Sequence, residues 1–249
     1  MSLDLDLDLG LEPWVVATIV VGVLVGATLQ GIVGIGLNLV TAPVVALVSP
    51  QLMPAVPLWL ASVYPLGALL REWRDADWRG LSWAVGGRVP GTAVGVLVVA
   101  WASDRVLGVV VGVMVLVAVL LTWRAVRVPV NAGTLGTAGF IGGVTGTATS
   151  IGGPPLAIVY QHAPGPQIRA SMAAFFCIGG VLSLVGLGVG GQMDSQDLWV
   201  AVVLSPALLV GHAVAGPLRR HLDAGHTRVA VMAICSVSAI ALLVRSAAG

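Results

Sequence analysis

Charged residues are scarce in this chain. They make up 9% of its 249 residues, against about 25% in an ordinary soluble domain, and the mean hydropathy is +1.00. This composition excludes an ordinary cytosolic protein and a disordered chain. The net charge of +1 offers no basic surface for a phosphate backbone, so we expect no nucleic-acid partner. About 20 apolar residues cross a bilayer, so the sequence predicts an all-α polytopic membrane protein whose surroundings are lipid.

Cysteine, lysine and a basic amino terminus are also lacking. The only two cysteines, Cys177 and Cys235, lie inside apolar runs, which favours buried thiols over a disulfide framework. All twelve basic residues are arginine. Residues 1–13 carry four acids and no base, so they do not fit a secretory signal and are interpreted as an acidic tail.

The apolar runs are of two kinds. Six are long enough to cross a bilayer, and they cover residues 54–70, 80–101, 106–123, 168–190, 198–215 and 228–247. Four others form two pairs, each split by a glycine-rich break, and they cover 14–30 with 37–48 and 132–149 with 154–162. The second arm of each pair is too short to span, so each pair is predicted to be a discontinuous hairpin that dips into the membrane.

The two halves of the chain repeat at an offset of 116 residues without gaps. The informative coincidences are glycine, proline and tryptophan: Gly26 with Gly142, Gly36 with Gly152, Trp83 with Trp199, Pro90 with Pro206, and Gly95 with Gly211. We therefore predict a first membrane repeat at 14–123, a cytoplasmic linker at 124–131 and a second membrane repeat at 132–247. Each repeat is a broken hairpin followed by three spans.

The arginines give an orientation. If each hairpin enters and leaves on one side, nine arginines fall on one face of the membrane and two, Arg105 and Arg245, on the other. This positive-inside bias places both termini outside the cytoplasm. Three crossings per half is an odd number, so the repeats are predicted to be inverted, an architecture typical of secondary transporters.

Acids are missing from the predicted membrane interior. All eleven lie in loops or at the ends of apolar runs. Their absence excludes paired carboxylates for acid–base catalysis, a carboxylate metal cage and an acidic cation path, so we expect no metal and no cofactor. An interior without acids can accept an anion.

The two breaks carry the groups that an anion requires. The candidate binding residues there are Gln30, Gly31, Gly34, Gly36 and Asn38 in the first break, and Thr145, Thr147, Thr149, Ser150, Gly152 and Gly153 in the second. Each break precedes a short helix whose free N–H groups would lie deep in the membrane, with Asn38 as an N-cap and Pro155 in a first turn. The alternative is that glycine and threonine serve only helix packing.

Arg88 is the one arginine inside a predicted span. It lies ~12 Å of helix rise from the cytoplasmic edge, where an arginine costs about 2.5 kcal/mol or more. We interpret it as part of the anion site, against the alternative that it snorkels to the surface or pairs with a helix-end carbonyl.

Two histidines are candidate proton carriers. His162 ends the short arm after the second break, and His212 lies within a long span. Each could instead serve as a hydrogen-bond partner between helices. Tyr64 is expected to be a packing or interface residue.

These segments resemble the sulfite exporter TauE/SafE family. The first break, GIVGIGLNLVTAP, resembles the family's glycine-rich signature, and the second, GGVTGTATSIGGPPL, its second copy; RASMAAFF after the second break also fits. The resemblance covers residues 14 to 247. It implies a multi-pass protein of the bacterial inner membrane that moves small sulfur-containing anions such as sulfite, sulfonates or thiosulfate.

Three functions are therefore weighed. The first is a secondary transporter of a small oxyanion, which is the expected substrate. The second is an intramembrane serine hydrolase with Ser150 as nucleophile and His162 or His212 as base, although Ala148 stands where the nucleophile turn has glycine. The third is a non-transporting assembly protein, which would not need two breaks facing one cavity. The sequence leaves the oligomeric state open.

Overall fold

The chain folds as an all-helical bundle. The computed structural model describes residues 11–33, 36–123, 128–221 and 224–248, and in these ranges it contains helices and no β-strand. The α-helices are α1 (Pro13–Val33), α2 (Leu37–Val48), α3 (Ala55–Val63), α4 (Leu66–Glu72), α5 (Trp78–Trp101), α6 (Asp104–Trp123), α7 (Ala132–Thr149), α8 (Pro154–Tyr160), α9 (Gly165–Val189), α10 (Ser195–His221) and α11 (Ala224–Ala248). The predicted site residue Gly34, most of the acidic tail 1–13 and residues 124–127 of the linker lie outside the described ranges.

Four of the described helices are long and apolar enough to cross a membrane. They are Pro13–Ile32 of α1, α5, α9 and Ser195–Leu218 of α10. Helix α1 has 21 residues, or about 31 Å of rise, so the first arm of the first hairpin can cross by itself. Shorter apolar stretches lie in α2, α6 and α11.

The two predicted breaks are confirmed as helix interruptions, and one predicted span is wrong. Helix α2 covers residues 37–48 and α7 covers 132–149, as expected from the apolar runs. The run 54–70 was expected to be one crossing helix, but it forms α3 and α4 with a turn at Tyr64 and Pro65. Proline has no N–H and its ring disfavours helical backbone in the residue before it, which explains the interruption.

Helices of one half pack in parallel on helices of the other. Gly91 on α5 lies against Phe140 on α7, and a methyl group added one turn later, at Gly95, would lie 2.9 Å from the Val144 carbonyl. Helix α10 runs along α1 in the same way, because Gly211 contacts Ala27, and Ala215, one turn later, contacts Gly31. At the repeat offset of 116 residues, α5 corresponds to α10 and α7 corresponds to α1. The α5–α7 interface is therefore the counterpart of the α1–α10 interface.

Two pairs of elements at corresponding positions of the two halves run antiparallel, α6 with α11 and α3–α4 with α9. A methyl group at Gly108 of α6 would meet Ser246 of α11, and one at Gly112 would meet the earlier residue Leu243. The α3–α4 pair also runs antiparallel to α9, its counterpart at the repeat offset. The Ser62 carbonyl accepts from Cys177 Sγ at 3.4 Å, whereas Glu72, further along the chain, pairs with the earlier residue Arg169 at 2.7 Å.

Polar contacts close the two ends of the bundle. At one end Arg105 Nε donates to the Ser246 carbonyl at 2.6 Å, and Arg245 donates to the carbonyl of Leu47 at the end of α2. At the other end Asp77 caps α5 by accepting from the Gly80 N–H at 2.9 Å. Asp77 also accepts from Tyr160 Oη at 3.0 Å, which anchors the last residue of α8.

Candidate anion-binding site

Both breaks line one cavity of about 50 Å³. One water molecule requires a cavity volume of ~10–15 Å³, so this cavity has room for several waters or a small ion. Six of the predicted site residues lie in its wall: Gln30, Gly36, Asn38, Ser150, Gly152 and Gly153. The sequence therefore identified residues from both halves that the fold brings together, although they lie more than 100 positions apart.

The first break is shaped by Gly36. Its φ of 146° is a conformation that L side chains rarely adopt, so glycine is required where the chain reverses into α2. Gly36 holds the N-cap position, and the expectation that Asn38 caps α2 is wrong. The N–H of Leu37, in the first turn of α2, donates to Gln30 Oε1 at 3.1 Å. Gln30 and not Asn38 therefore provides the side-chain acceptor at this helix start.

Asn38 connects the two breaks. It is the second residue of α2 and is 8% exposed. Its Nδ2 donates to the Ser150 carbonyl at 2.8 Å and to the Pro57 carbonyl at 3.1 Å, so both of its donor protons are used. Its Oδ1 is buried and has no hydrogen-bond partner. An unmatched buried carbonyl at a cavity wall is costly in the empty protein, which points to a ligand or a water.

Ser150 takes an unusual conformation at the second break. Its φ of 64° is left-handed, and its Oγ donates to the Pro54 carbonyl at 3.0 Å. The hydroxyl proton is thus directed at a backbone carbonyl and not at an imidazole. This geometry does not support the nucleophile–base pair that a serine hydrolase needs.

Helix α8 offers fewer backbone donors and a smaller dipole to an anion than its position after the second break suggested. Pro154 and Pro155 occupy its first two positions, as expected for Pro155, but neither carries an N–H. The helix has only seven residues, and few aligned peptide units give a small dipole. The backbone donors between Ile151 and the helix are the N–H groups of Gly152 and Gly153, both in the cavity wall.

The three predicted threonines do not line the cavity, and the side chains of two of them, Thr147 and Thr149, hold the break in shape. Thr147 Oγ1 bonds Ser183 Oγ at 2.8 Å, on α9. Thr149 Oγ1 donates to the Thr145 carbonyl at 2.7 Å and accepts from the Ile151 N–H at 3.3 Å. Thr145 Oγ1 is buried without a partner. Gly31 also lies outside the wall, where it packs closely against Ala215 of α10.

Arg88 is fully inside the bundle, with 2% of its surface exposed. Its guanidinium lies over the Phe175 ring, with Cζ 4.4 Å from the ring centroid, and Nε and Nη1 are buried without hydrogen-bond partners. A methyl group at Gly179 would overlap the guanidinium, so only glycine leaves room for it there. The side chain neither snorkels nor pairs with a helix-end carbonyl.

Arg88 lies behind the cavity wall and does not line it. A methyl group at Gly146 would be 3.1 Å from Arg88 Nη2 and 3.1 Å from the Cα of Gly152. Because both distances are measured from the same methyl position, Arg88 Nη2 lies within about 6 Å of the Cα of Gly152. Gly152 is part of the cavity wall. An anion in the cavity therefore lies within reach of the Arg88 charge, because a dry interior screens charges weakly.

The two candidate histidines differ. Both are exposed, but His162 follows α8 and lies away from the cavity wall. His212 Nδ1 lies 3.2 Å from the hydroxyl of Tyr64, and Tyr64 lines the cavity. Tyr64 Oη donates its one proton to the Ala27 carbonyl at 2.9 Å, so His212 must donate to Tyr64 through Nδ1–H.

Sequence reasoning missed eight wall residues, of which four, Ala61, Tyr64, Pro65 and Phe176, lie away from both breaks and the helix starts that follow them. Tyr64 and Pro65 enter the wall because α3 and α4 separate there, and Phe176 enters from α9. The one available signal was Pro65 inside an apolar run that had been interpreted as a continuous span.

A family model described as Sulfite exporter TauE/SafE matches residues 18–242. The chain belongs to the sulfite exporter TauE/SafE family. No curated protein and no solved structure matches it significantly. Membership identifies a multi-pass membrane protein and a transporter, not an enzyme, and connects the cavity to a family of anion exporters.

Proposed function

We propose that this protein is a secondary transporter that moves a small sulfur-containing oxyanion, of the sulfite, sulfonate or thiosulfate class, across the bacterial inner membrane. The observation that carries the proposal is that the two breaks, one from each half of a sulfite exporter family member, line a single cavity. An assembly protein has no need of such a shared cavity.

The anion is held by few groups. Gly152 and Gly153, which contribute backbone N–H donors, and the first residues of the 12-residue helix α2, at its positive end, line the cavity. Arg88 adds a formal charge from behind the wall, and it is the one buried charged side chain among the residues that the structure describes. Gln30 and Asn38 shape the site by bonding backbone groups of the breaks, and Ser150 does so by donating to the carbonyl of Pro54, just before α3.

Transport by alternating access follows from inverted repeats, which we propose here. The support is the antiparallel course of equivalent helices, such as α6 and α11, and the exchange of partners between α1–α10 and α5–α7. With the arginine-rich end at the cytoplasm, both termini lie outside it. The two halves can then rock about a site between them.

His212 is the proposed proton carrier, because it bonds a residue of the cavity wall and His162 does not. A proton gained at Nε2 would place a positive charge beside Tyr64 and near the C-terminal end of α1, where the helix dipole is negative. The neighbouring helices α1 and α3 carry no ionisable side chain, and Arg219 lies two turns along α10.

The test is flux of ³⁵S-labelled sulfite into proteoliposomes. The parent is expected to transport, and Asn38→Asp is expected to lose flux because it places a negative charge in the wall. Asn131→Asp is the matched control, since Asn131 is an exposed N-cap of α7 and aspartate caps equally well. Absence of flux in the folded parent, for sulfite, methanesulfonate and thiosulfate alike, would contradict the proposal.

A further inference from the structure

We propose that the cavity selects singly charged oxyanions and discriminates against dianions of similar size. This inference rests on the proposed transport function and narrows its substrate class. It places hydrogensulfite and monosulfonates among the ligands, and sulfate and thiosulfate outside them.

The first argument is the number of charges. Arg88 is the only charged side chain buried within the part of the chain that the structure describes. Two of its guanidinium nitrogens have no hydrogen-bond partner, and Phe175 and Gly179 enclose it. One uncompensated positive charge within about 6 Å of the wall is neutralised by one negative charge.

The second argument is how the electrostatic attraction and the desolvation cost each depend on the charge of the ligand. Attraction to a fixed charge rises in proportion to the charge of the ligand. The cost of taking an ion out of water rises with the square of its charge. A dianion therefore gains twice the attraction of a monoanion but pays about four times its desolvation, and it leaves the site with a net negative charge.

The third argument is that most donors at the wall are already used. Both Nδ2 protons of Asn38 go to backbone carbonyls, Ser150 Oγ donates to Pro54, and the Leu37 N–H is bound by Gln30. Few neutral donors are left to solvate a second negative charge. The unpartnered Oδ1 of Asn38 repels such a charge and can accept the proton of a protonated oxyanion.

The test uses anions matched in shape and different in charge. The full-length protein in nanodiscs is loaded with ³⁵S-methanesulfonate, which is then displaced by perchlorate or by sulfate, two tetrahedral oxyanions of charge −1 and −2. We expect perchlorate to displace the label at a concentration at least about tenfold lower than sulfate. Arg88→Lys should keep this ratio even at lower affinity, because it keeps the charge.

A pH series adds an internal control. The potency of sulfite as a competitor should fall as the pH rises and hydrogensulfite loses its proton, whereas that of methanesulfonate should not change. Sulfate or thiosulfate competing as well as perchlorate, or sulfite potency that does not fall with pH, would overturn the charge selection and leave anion transport standing. If none of these anions binds the folded protein, the transport proposal itself fails.

Discussion

Replacing Arg88 by glutamine removes the only buried formal charge from the described part of the bundle. An anion in the cavity lies roughly 6–8 Å from the guanidinium, and at an effective dielectric constant of about 20 the attraction is about 2–3 kcal/mol. Arg88→Gln should therefore weaken anion binding by about 30- to 100-fold. Arg88→Lys keeps the charge and should lose less than about tenfold.

The same substitution should stabilise the empty protein. An arginine inside the membrane costs at least about 2.5 kcal/mol, and the contact with Phe175 returns about 1–2 kcal/mol of that. The difference, about 1 kcal/mol, corresponds to a rise in Tm of about 2–4 °C for a chain of this size. A merely structural arginine would give the opposite sign.

Thermal unfolding in detergent, with and without anion, measures both effects. Methanesulfonate at about 100 times the Kd of the parent should stabilise the parent by about 2.7 kcal/mol, but Arg88→Gln by only about 0.4–0.9 kcal/mol, because its Kd is expected to be about 30- to 100-fold higher. Arg79→Gln is the matched control, because Arg79 is exposed on the same helix. If Arg88→Gln binds within about threefold of the parent, or unfolds at a lower temperature without anion, Arg88 is a packing residue.

Three further predictions test coupling, packing and topology. His212→Gln should keep exchange of labelled sulfite but lose its acceleration by a pH gradient, whereas the exposed His162→Gln should keep both; equal behaviour of the two variants would exclude His212 as the carrier. Gly179→Ala should reduce methanesulfonate binding by about tenfold or more, because its methyl group displaces the Arg88 guanidinium. Gly86→Ala, whose methyl group meets open space, should bind as the parent does, and equal binding by both would contradict the packing argument. Alkaline phosphatase fused at the carboxyl terminus should be active in cells; an inactive but folded fusion would place that terminus in the cytoplasm and refute the inverted repeats.

The sequence was most informative where the backbone chemistry is unusual. Glycine-rich breaks beside short apolar runs predicted the ends of α2 and α7, and their matched offset predicted that both breaks belong to one site. Glycine at Gly36 is dictated by a positive φ, a local requirement that composition can reveal.

Side-chain directions were not predictable in the same way. Helices that are apolar all round have no polar face to mark which side points inward. The hydroxyls of Thr147 and Thr149 were therefore expected in the cavity, whereas they bond Ser183 and the backbone. Arg88 was expected to line the site, but the glycines of α7 and the second break come between. Such placements depend on contacts between helices that are distant in the chain.

The two halves of the chain differ at the position of the buried charge, Arg88. At the repeat offset of 116, Arg88 corresponds to Leu204, which is buried with 2% exposure, although the neighbouring Pro90 and Pro206 match. A second arginine at that position would repeat the cost of an unpaired buried cation, about 2.5 kcal/mol or more, each time the site is empty. It would also require a ligand with two negative charges to balance it. In the repeat architecture that we propose, a single charge therefore suits a monoanion, because each half supplies a break while only one of them supplies the counter-charge.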